Sequence, residues 1–370
     1  MNAARGWAWV EHLRTGGSTP WADFTGESSV ADRMLPGAIQ LEVARRLNAV
    51  DGRDDAAHRR LVDRVLTSSA PGRGQPDLEL VGVHDGSPFG PRPVDPATLP
   101  TEELLRMAVG VLAELVLERD PGVRPEPRTL PAPPWRRGYH LAGDPQLAGH
   151  ARAALADAGR RPGHRSPVAV LLADDLGAML ADVWTWRVQQ GVTPTWHWWL
   201  AHWARRDQLP PRADLTAVAA RWADRVGRQR VHVVVGTALP ADLLGLRVDP
   251  PVDRLSAGAA EVVRQANTVL AVLASPDQHQ RVLDDVLLPA LAAERGAPPA
   301  VPARQQEWVR RRADRLVEEL TAAGYPVHGD LAALLPRSSD GHATGPDATT
   351  QSEALPVALR ALLGTREVGR

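Results

Sequence analysis

Two residue types are missing from the sequence altogether. It contains no cysteine, and because it also contains no lysine, all 43 Lys+Arg residues are arginine. The absence of thiols excludes disulfides, thiolate catalysis and metal sites built on cysteine. The absence of lysine excludes Schiff-base catalysis, and it excludes any phosphate-binding loop that depends on its own ammonium group.

Long apolar runs and a strong net charge are missing as well. No segment approaches the ~18 apolar residues of a membrane span. The first residues, MNAARGWAWVEHL, contain no apolar stretch typical of a signal peptide. We therefore expect a cytoplasmic protein without membrane insertion. The formal net charge of −1 gives no reason to expect nucleic acid as a partner.

A proline-rich stretch divides the chain. The 370 residues are 44% apolar and 24% charged, which is typical of a soluble globular protein with room for two domains. Residues 121–135 contain too many prolines to form a regular element. We predict a mostly helical region over 1–120, a linker over 121–135, an α/β domain over 136–336, and a flexible tail with a short helix over 337–370.

Strand and helix patterns alternate after the linker. Short apolar runs predict strands over 138–142, 167–173 and 230–236. The helix after the second strand has an apolar stripe of Leu176, Met179, Leu180 and Val183. This order is typical of a parallel sheet covered by helices on both faces, so we assign the fold class α/β. Other predicted elements are a strand over 78–83, helices over 6–14, 38–50, 56–66, 101–119, 146–158, 214–226, 259–273, 279–293, 302–323 and 353–363, and disorder over 337–352.

Local signals identify several helix ends. Thr101, followed by an acidic first turn of Glu102 and Glu103, predicts a helix N-cap, and Asp214 predicts another. Asp174 and Asp175, directly after a strand, are either a metal-binding acidic pair or helix caps at the positive end of a dipole, and we favour capping for at least one of them.

Six of the twelve tryptophans lie between residues 184 and 203. They could form a platform for an aromatic or carbohydrate ligand. However, Trp196, Trp199 and Trp203 share one helical face, so we favour core packing. Trp198 and His202 lie on another face and remain candidates for exposed contacts. No histidine pair has the spacing of a zinc-binding helix, so we predict no metal site.

Three further polar residues lie in or beside predicted strands. His140 and Asp144 lie near the end of the first strand after the linker and could serve acid–base chemistry, although no nucleophile is nearby. His232 lies within a valine-rich strand and is predicted to be a core histidine with a satisfied hydrogen bond.

Two pairs of stretches repeat weakly. RTGGSTPWADF (14–24) is similar to QQGVTPTWHWW (189–199), and LEVARRLN (41–48) is similar to AEVVRQAN (260–267). Either the first half is a contracted duplicate of the second, or compositional bias produces the similarity.

Four stretches between residues 139 and 336 carry a family pattern. HLAGDPQLAGH (140–150) is similar to a phosphate loop of the form Gly-Thr-Pro-Lys-Thr-Gly-Thr-Thr. VLLADDLGAMLADVW is similar to a strand and helix that begin with Arg-Asp and carry a serine before Val-Trp. Residues 253–267 and 322–336 are similar to two C-terminal helices. Together these stretches resemble the actinobacterial sulfotransferase-like P-loop proteins over a little more than half of the chain.

The resemblance implies a site for a nucleotide phosphosulfate donor, but the residues that would bind it are replaced. The family's loop lysine stabilises charge during sulfuryl transfer, and Gln146 occupies its position. The arginine and serine that bind the donor's 3′-phosphate correspond to Asp174 and Asp182, which would repel a phosphate. A like-charge pair at ~4 Å costs about 4 kcal/mol near a protein surface. The remnant loop comprises Gly143, Asp144, Pro145, Gln146 and Gly149.

We therefore expect no nucleotide cofactor and no sulfotransferase activity. The chain is predicted to be a non-catalytic, sulfotransferase-like protein that binds a protein partner. The family's associations link it to cell-surface polysaccharide assembly. One alternative is a transferase with an altered donor, using a cleft near Gly143, Asp144, Asp174 and Asp182. Another is a purely structural interaction protein. No small-molecule ligand and no catalytic residue follow from the sequence.

Overall fold

The computed structural model describes residues 3–26, 33–51, 55–68, 93–122, 138–160, 162, 167–236, 243, 254–337 and 346–367. The chain forms two compact units. The first comprises residues 1–122, 257–296 and 347–370, and the second comprises 123–256 and 297–346. The predicted strand over 78–83 and most of the proline-rich stretch lie outside the described residues.

The second unit contains a four-stranded parallel sheet, which confirms the α/β class. Its strands are β1 (Tyr139–Gly143), β2 (Val168–Ala173), β3 (Val231–Val235) and β4 (Val327–His328), in the order β1-β2-β3-β4. The central strands are continuous apolar runs because parallel strands are covered on both faces. Its helices are α6 (Pro145–Asp157), α7 (Leu176–Gln189), α8 (Trp196–Arg206), α9 (Leu215–Val226) and α13 (Ala303–Ala323).

One expected helix of the second unit is not present as such. Residues 322–336, compared above with a C-terminal helix, contain only the end of α13, then β4 and a 3₁₀ turn, Leu331–Leu334. Gly324 ends α13 in the left-handed conformation (φ 65°), as glycine commonly does at a helix terminus. The carbonyl of Pro326 then accepts a hydrogen bond from the Val233 N–H at 2.9 Å, which aligns β4 with β3.

The first unit is helical. Its helices are α1 (Ala3–Arg14), α2 (Trp21–Thr25), α3 (Ala38–Val50), α4 (Ala56–Thr67), α5 (Thr101–Glu118), α10 (Ala257–Leu273), α11 (Pro276–Val282), α12 (Leu288–Leu291) and α14 (Pro346–Glu367). A π-helical turn, Leu283–Leu287, joins α11 to α12. Helices α10 and α14 belong to this unit, so its composition differs from the predicted region 1–120. The reason is close packing: a Cβ on Gly258 would lie 2.9 Å from the Glu353 carbonyl oxygen.

Two predictions for the first unit are wrong. Thr101 does not cap α5, since it is the first helical residue and Pro100 before it provides no side-chain cap. The C-terminal helix is also longer than predicted: residues 346–352, expected to be disordered, form the first turns of the 22-residue helix α14. Its apolar face, which includes Leu355 and Leu359, is buried, and this burial stabilises the helix beyond its local propensity.

The repeat noticed in the sequence recurs in the hydrogen bonds. The Trp9 indole N–H donates to the Thr19 carbonyl at 3.0 Å, and the Trp184 indole N–H donates to the Pro194 carbonyl at 3.1 Å. In each bond the donor and the acceptor are ten residues apart. Trp184 lies 175 positions after Trp9, and Pro194 lies 175 positions after Thr19.

Aromatic packing follows the same correspondence. The Trp9 ring lies 5.1 Å from that of Trp21, and the Trp184 ring lies 5.7 Å from that of Trp196. Stacked pairs complete both clusters: Trp21 with Phe24, and Trp196 with Trp199. These shared contacts favour duplication over chance similarity, because composition alone does not reproduce hydrogen-bond geometry.

The second pair of repeated stretches also shares its polar contacts. Arg45 donates two hydrogen bonds to the buried Glu42, each 2.7 Å long. Arg264 donates in the same way to the buried Glu261, at 2.7 and 2.6 Å. Four residues complete the pattern through Asn–His hydrogen bonds: Asn48 with His58, and Asn267 with His279.

Candidate functional site at the carboxyl edge of the sheet

The predicted remnant loop is divided between a strand and a helix. Strand β1 ends at Gly143 and α6 begins at Pro145, so a single residue, Asp144, connects them. Gly149 lies inside α6. Gly143 adopts φ 84°, and a Cβ there would lie 2.3 Å from the Leu172 carbonyl oxygen. This close approach of β1 to β2 explains the glycine.

Asp144 occupies the N-terminus of α6. Its Oδ1 accepts hydrogen bonds from the N–H groups of Gln146 at 2.9 Å and Leu147 at 3.0 Å. Free N–H groups at the start of a helix are what bind phosphate in P-loop proteins. Here the chain's own carboxylate takes the place of that phosphate.

The second oxygen of Asp144 faces Asp182. Asp144 is 0% exposed, and no donor among the described residues reaches its Oδ2. Burial, together with the neighbouring Asp182 carboxylate, raises the pKa of Asp144 well above its ordinary value. This raised pKa favours the protonated form of Asp144 in the folded protein. Its O–H can then donate to Asp182, which satisfies an oxygen that would otherwise be buried without a partner.

Two arginines hold the neighbouring carboxylates. The Nε of Arg254 donates to both oxygens of Asp182, at 2.7 and 3.0 Å, and its Nη2 donates to Asp174 at 3.2 Å. Nη2 of Arg337 donates to the other oxygen of Asp174 at 2.9 Å. Asp174 and Asp182 are 3% and 2% exposed. When Asp144 is protonated, the two carboxylates and the two guanidiniums balance in charge.

Asp175 confirms the capping prediction. It is the N-cap of α7, and its Oδ1 accepts a hydrogen bond from the Ala178 N–H at 2.9 Å. Burial raises the pKa of Asp175. Its neighbour Asp174 instead joins the arginine cluster. Within the ranges that the structure describes, no group of three or more His, Asp or Glu side chains could hold a metal ion.

The structure brings together three of the predicted site residues, Asp144, Asp174 and Asp182. It also adds two that sequence reasoning missed, Arg254 and Arg337. Arg254 lies 72 residues beyond Asp182, and Arg337 lies 163 residues beyond Asp174. No local spacing pattern connects residues so far apart. Only the family resemblance could have pointed to Arg254, because this residue lies within 253–267, the third of the four stretches that carry the resemblance.

The predicted histidines lie in other contacts. The ring of His140 stacks on Trp222 with centroids 4.5 Å apart, and burial lowers its pKa. The Nδ1 atom of His232 lies 3.2 Å from Nε2 of His328 on β4, so the ring has the polar partner that was predicted, but the residue is half-buried and not core.

Half of the tryptophan cluster is core. Trp184, Trp196 and Trp199 are buried, whereas Trp198 is 53% exposed. Trp203, predicted to lie on the core face, is only half-buried, as is Trp186. The ring of Trp198 lies 5.3 Å from that of His202, and Nη1 of Arg206 lies 2.8 Å from Nδ1 of His202. We call Trp198, His202, Arg205 and Arg206 the α8 surface. Neither arginine has a carboxylate partner in the part of the chain that the structure describes.

Comparison with known proteins adds no relative. No protein-family model, no curated protein and no solved structure matches this chain. The resemblance to sulfotransferase-like proteins therefore stays a prediction that rests on the four stretches. None of the described helices is both long enough and apolar enough to span a bilayer.

Proposed function

We propose that this chain is a non-catalytic, sulfotransferase-like protein that acts by binding a protein partner. The observation that carries the proposal is the capping of α6 by Asp144. In the family that the sequence resembles, those N–H groups would bind the donor's phosphosulfate. Here they are occupied, and the residues equivalent to the 3′-phosphate ligands are carboxylates paired with Arg254 and Arg337.

Opening this site to a phosphate would be costly. The incoming anion would displace the Asp144 carboxyl from two N–H groups, each bond contributing about 1 kcal/mol. It would also need a cation from the Asp174–Arg254–Asp182 cluster, and breaking a buried ion pair costs about 3–5 kcal/mol. Both terms oppose donor binding, which supports a protein without the family's donor.

We favour binding over a transferase with an altered donor. That alternative needs reactive groups within reach of a substrate, yet Asp144 is 0% exposed and Asp182 is 2% exposed. Both are committed to hydrogen bonds inside the unit. The link to cell-surface polysaccharide assembly and the cytoplasmic location stay predictions.

The α8 surface is our candidate for the partner contact. Its two arginines give it a charge of about +2, so we propose an acidic segment of the partner protein as its occupant. Tryptophan and arginine are the residues that most often dominate protein interfaces. The repeat supports this role: Asp23 stands at the position equivalent to Trp198, so the packing motif does not require a tryptophan there.

Calorimetry with adenosine 3′,5′-bisphosphate tests the loss of the donor site. We expect no saturable heat. A micromolar Kd, equivalent to about 8 kcal/mol, would refute the proposal.

Variants that reintroduce the family's donor-binding residues provide a positive control for the calorimetry. Gln146→Lys, Asp174→Arg and Asp182→Ser together should leave the nucleotide unbound, because Asp144 still occupies the N–H groups. Adding Asp144→Thr, the family's residue at that position, should create measurable affinity. If the three-residue variant already binds, the capping argument is wrong.

Photo-crosslinking tests the partner contact. A benzoyl-phenylalanine at position 198, compared with the same group at the exposed Arg221 of α9, should crosslink one partner through an acidic segment in native cells. Arg205→Glu with Arg206→Glu should abolish that crosslink, and reversing the charges of the identified segment should restore it. Capture of nucleic acid, or equal crosslinking from position 221, would contradict the assignment.

A further inference from the structure

A pocket in the first unit, away from the acidic cluster, combines aliphatic walls with a guanidinium. Its volume is about 380 Å³, which falls within the range of small-molecule sites. Helix α3 contributes Arg46 and Val50, α5 contributes Thr101, and α14 contributes Leu355, Pro356 and Leu359.

The charge in this pocket is not balanced. Arg45 and Arg46 share one buried carboxylate, Glu42. The guanidinium of Arg45 is fully engaged, since it also donates to the Ser18 carbonyl. Arg46 donates only through Nε, at 2.8 Å. Among the described residues, its two Nη groups meet no acceptor, and its side chain is 36% exposed.

The rest of the lining is mostly apolar. Leu355 and Leu359 are 2% and 3% exposed and form the buried wall, and Val50, 43% exposed, forms the lip. Thr101 and Ser352 add polar groups to the lining, and the Thr101 hydroxyl has no partner among the described residues. Concave sites of this kind, with aliphatic walls and a few polar groups at one end, suit an amphipathic molecule whose polar end is recognised.

We propose that this pocket binds a small aliphatic carboxylate, with the acid group on the two free Nη groups of Arg46 and the alkyl chain against Leu355, Pro356 and Leu359. The planar edge of a guanidinium fits the two oxygens of a carboxylate. The inference does not depend on the proposed function, because none of these residues belongs to the acidic cluster or to the α8 surface.

The repeat supplies a matched variant. Gln265 stands at the position equivalent to Arg46, and its Nε2 donates to Oε1 of Glu261 at 2.9 Å. Arg46→Gln can therefore keep the hydrogen bond to Glu42 while it removes the two free Nη groups. Val50→Asp is a second, independent variant that leaves Arg46 in place and adds a negative charge at the exposed lip. Arg60→Gln, at an exposed arginine of α4, is the control.

Titration with sodium octanoate, followed by calorimetry and by NMR, tests the proposal on the full chain. We expect saturable binding to the wild type and to Arg60→Gln, and weaker binding of 1-octanol. Arg46→Gln and Val50→Asp should each weaken octanoate binding about tenfold or more, as expected when charge-assisted hydrogen bonds to a carboxylate are lost or opposed. Circular dichroism checks folding, and if Arg46→Gln fails to fold, Val50→Asp decides. Absence of saturable octanoate binding, equal binding by Arg46→Gln, or octanol binding as tight as octanoate would overturn the proposal.

Discussion

Replacing Asp144 by asparagine tests the protonation of this residue directly. Asparagine keeps the Oδ1 atom that accepts from the N–H groups of Gln146 and Leu147. Its amide nitrogen replaces the carboxyl O–H as the donor toward Asp182. If Asp144 is protonated in the folded protein, Asp144→Asn preserves every hydrogen bond, and we expect its free energy of unfolding to stay within about 0.5 kcal/mol of wild type at mildly acidic pH.

The raised pKa of Asp144 sets the direction in which the free energy of unfolding changes with pH. The pKa of Asp144 is raised in the folded state, from an ordinary value of 3.8. Between that value and the folded pKa, the folded protein holds a proton that the unfolded chain has released. The contribution of Asp144 to wild-type stability is therefore fully present below pH 3.8 and falls as pH rises through this window. Asp144→Asn lacks the titrating group, so its advantage over wild type should grow with pH.

The size of the effect follows from the unsatisfied oxygen. Once Asp144 ionises, its Oδ2 is buried without a donor beside a second carboxylate, which costs about 1–3 kcal/mol or more. Asp144→Ala removes the two capping bonds instead, and should cost about 2 kcal/mol with much less dependence on pH.

Urea denaturation of the three proteins, from about pH 4 to about pH 9, measures these differences. Parallel profiles for wild type and Asp144→Asn would refute the shared proton. So would an Asp144→Asn variant that is destabilised as much as Asp144→Ala. Carbon-13 NMR of the labelled carboxyl group offers an independent check, because an Asp144 that titrates at its ordinary pKa contradicts the same conclusion.

Three other substitutions test the packing described above, each measured by denaturation. Gly143→Ala should destabilise by more than about 2 kcal/mol because the methyl group meets a backbone carbonyl at positive φ, whereas Gly149→Ala, inside a helix with open space around it, should stabilise by about 0.5–1 kcal/mol. If both changes have the same sign, the assignment of this segment to a tight strand–helix junction is wrong. Trp199→Ala should destabilise the protein by about 3–5 kcal/mol because it deletes a buried aromatic side chain. Trp198→Ala should change the free energy of unfolding by no more than about 0.5 kcal/mol. Comparable losses would show that Trp198 is not an exposed residue of the α8 surface. Asn48→Ala should cost about 2–4 kcal/mol because its buried side chain makes three hydrogen bonds, and a loss below about 1 kcal/mol would argue that these bonds are dispensable.

The structure repeats local features that the sequence already implied. The strands near 139, 168 and 231 were predictable because continuous apolar and β-branched runs favour buried parallel strands. The caps at Asp175 and Asp214 were predictable because an N-cap depends on only three or four neighbouring residues. Thr101 shows the limit of this reasoning, since the preceding proline took the N-cap position and left the threonine inside the helix.

The acidic cluster required the fold. Sequence identified Asp144, Asp174 and Asp182 through the resemblance and suggested mutual repulsion with any phosphate. It did not supply Arg254 and Arg337, because ion pairs across 72 and 163 residues form only when strands and helices have been brought together. Nor did it show that Asp144 occupies the helix N-terminus, which depends on a strand–helix connection of one residue.

What the sequence determined by itself was the parallel α/β pattern, the absence of thiol and lysine chemistry, and the repeated aromatic and Glu–Arg motifs. These are properties of composition and local periodicity. What only the tertiary structure decided was which arginines pair with Asp174 and Asp182, which carboxyl has a raised pKa, and which arginine keeps unpaired donors in a pocket. Each of these depends on burial and on the partners supplied by distant segments, and the order of residues along the chain does not encode either in any local pattern.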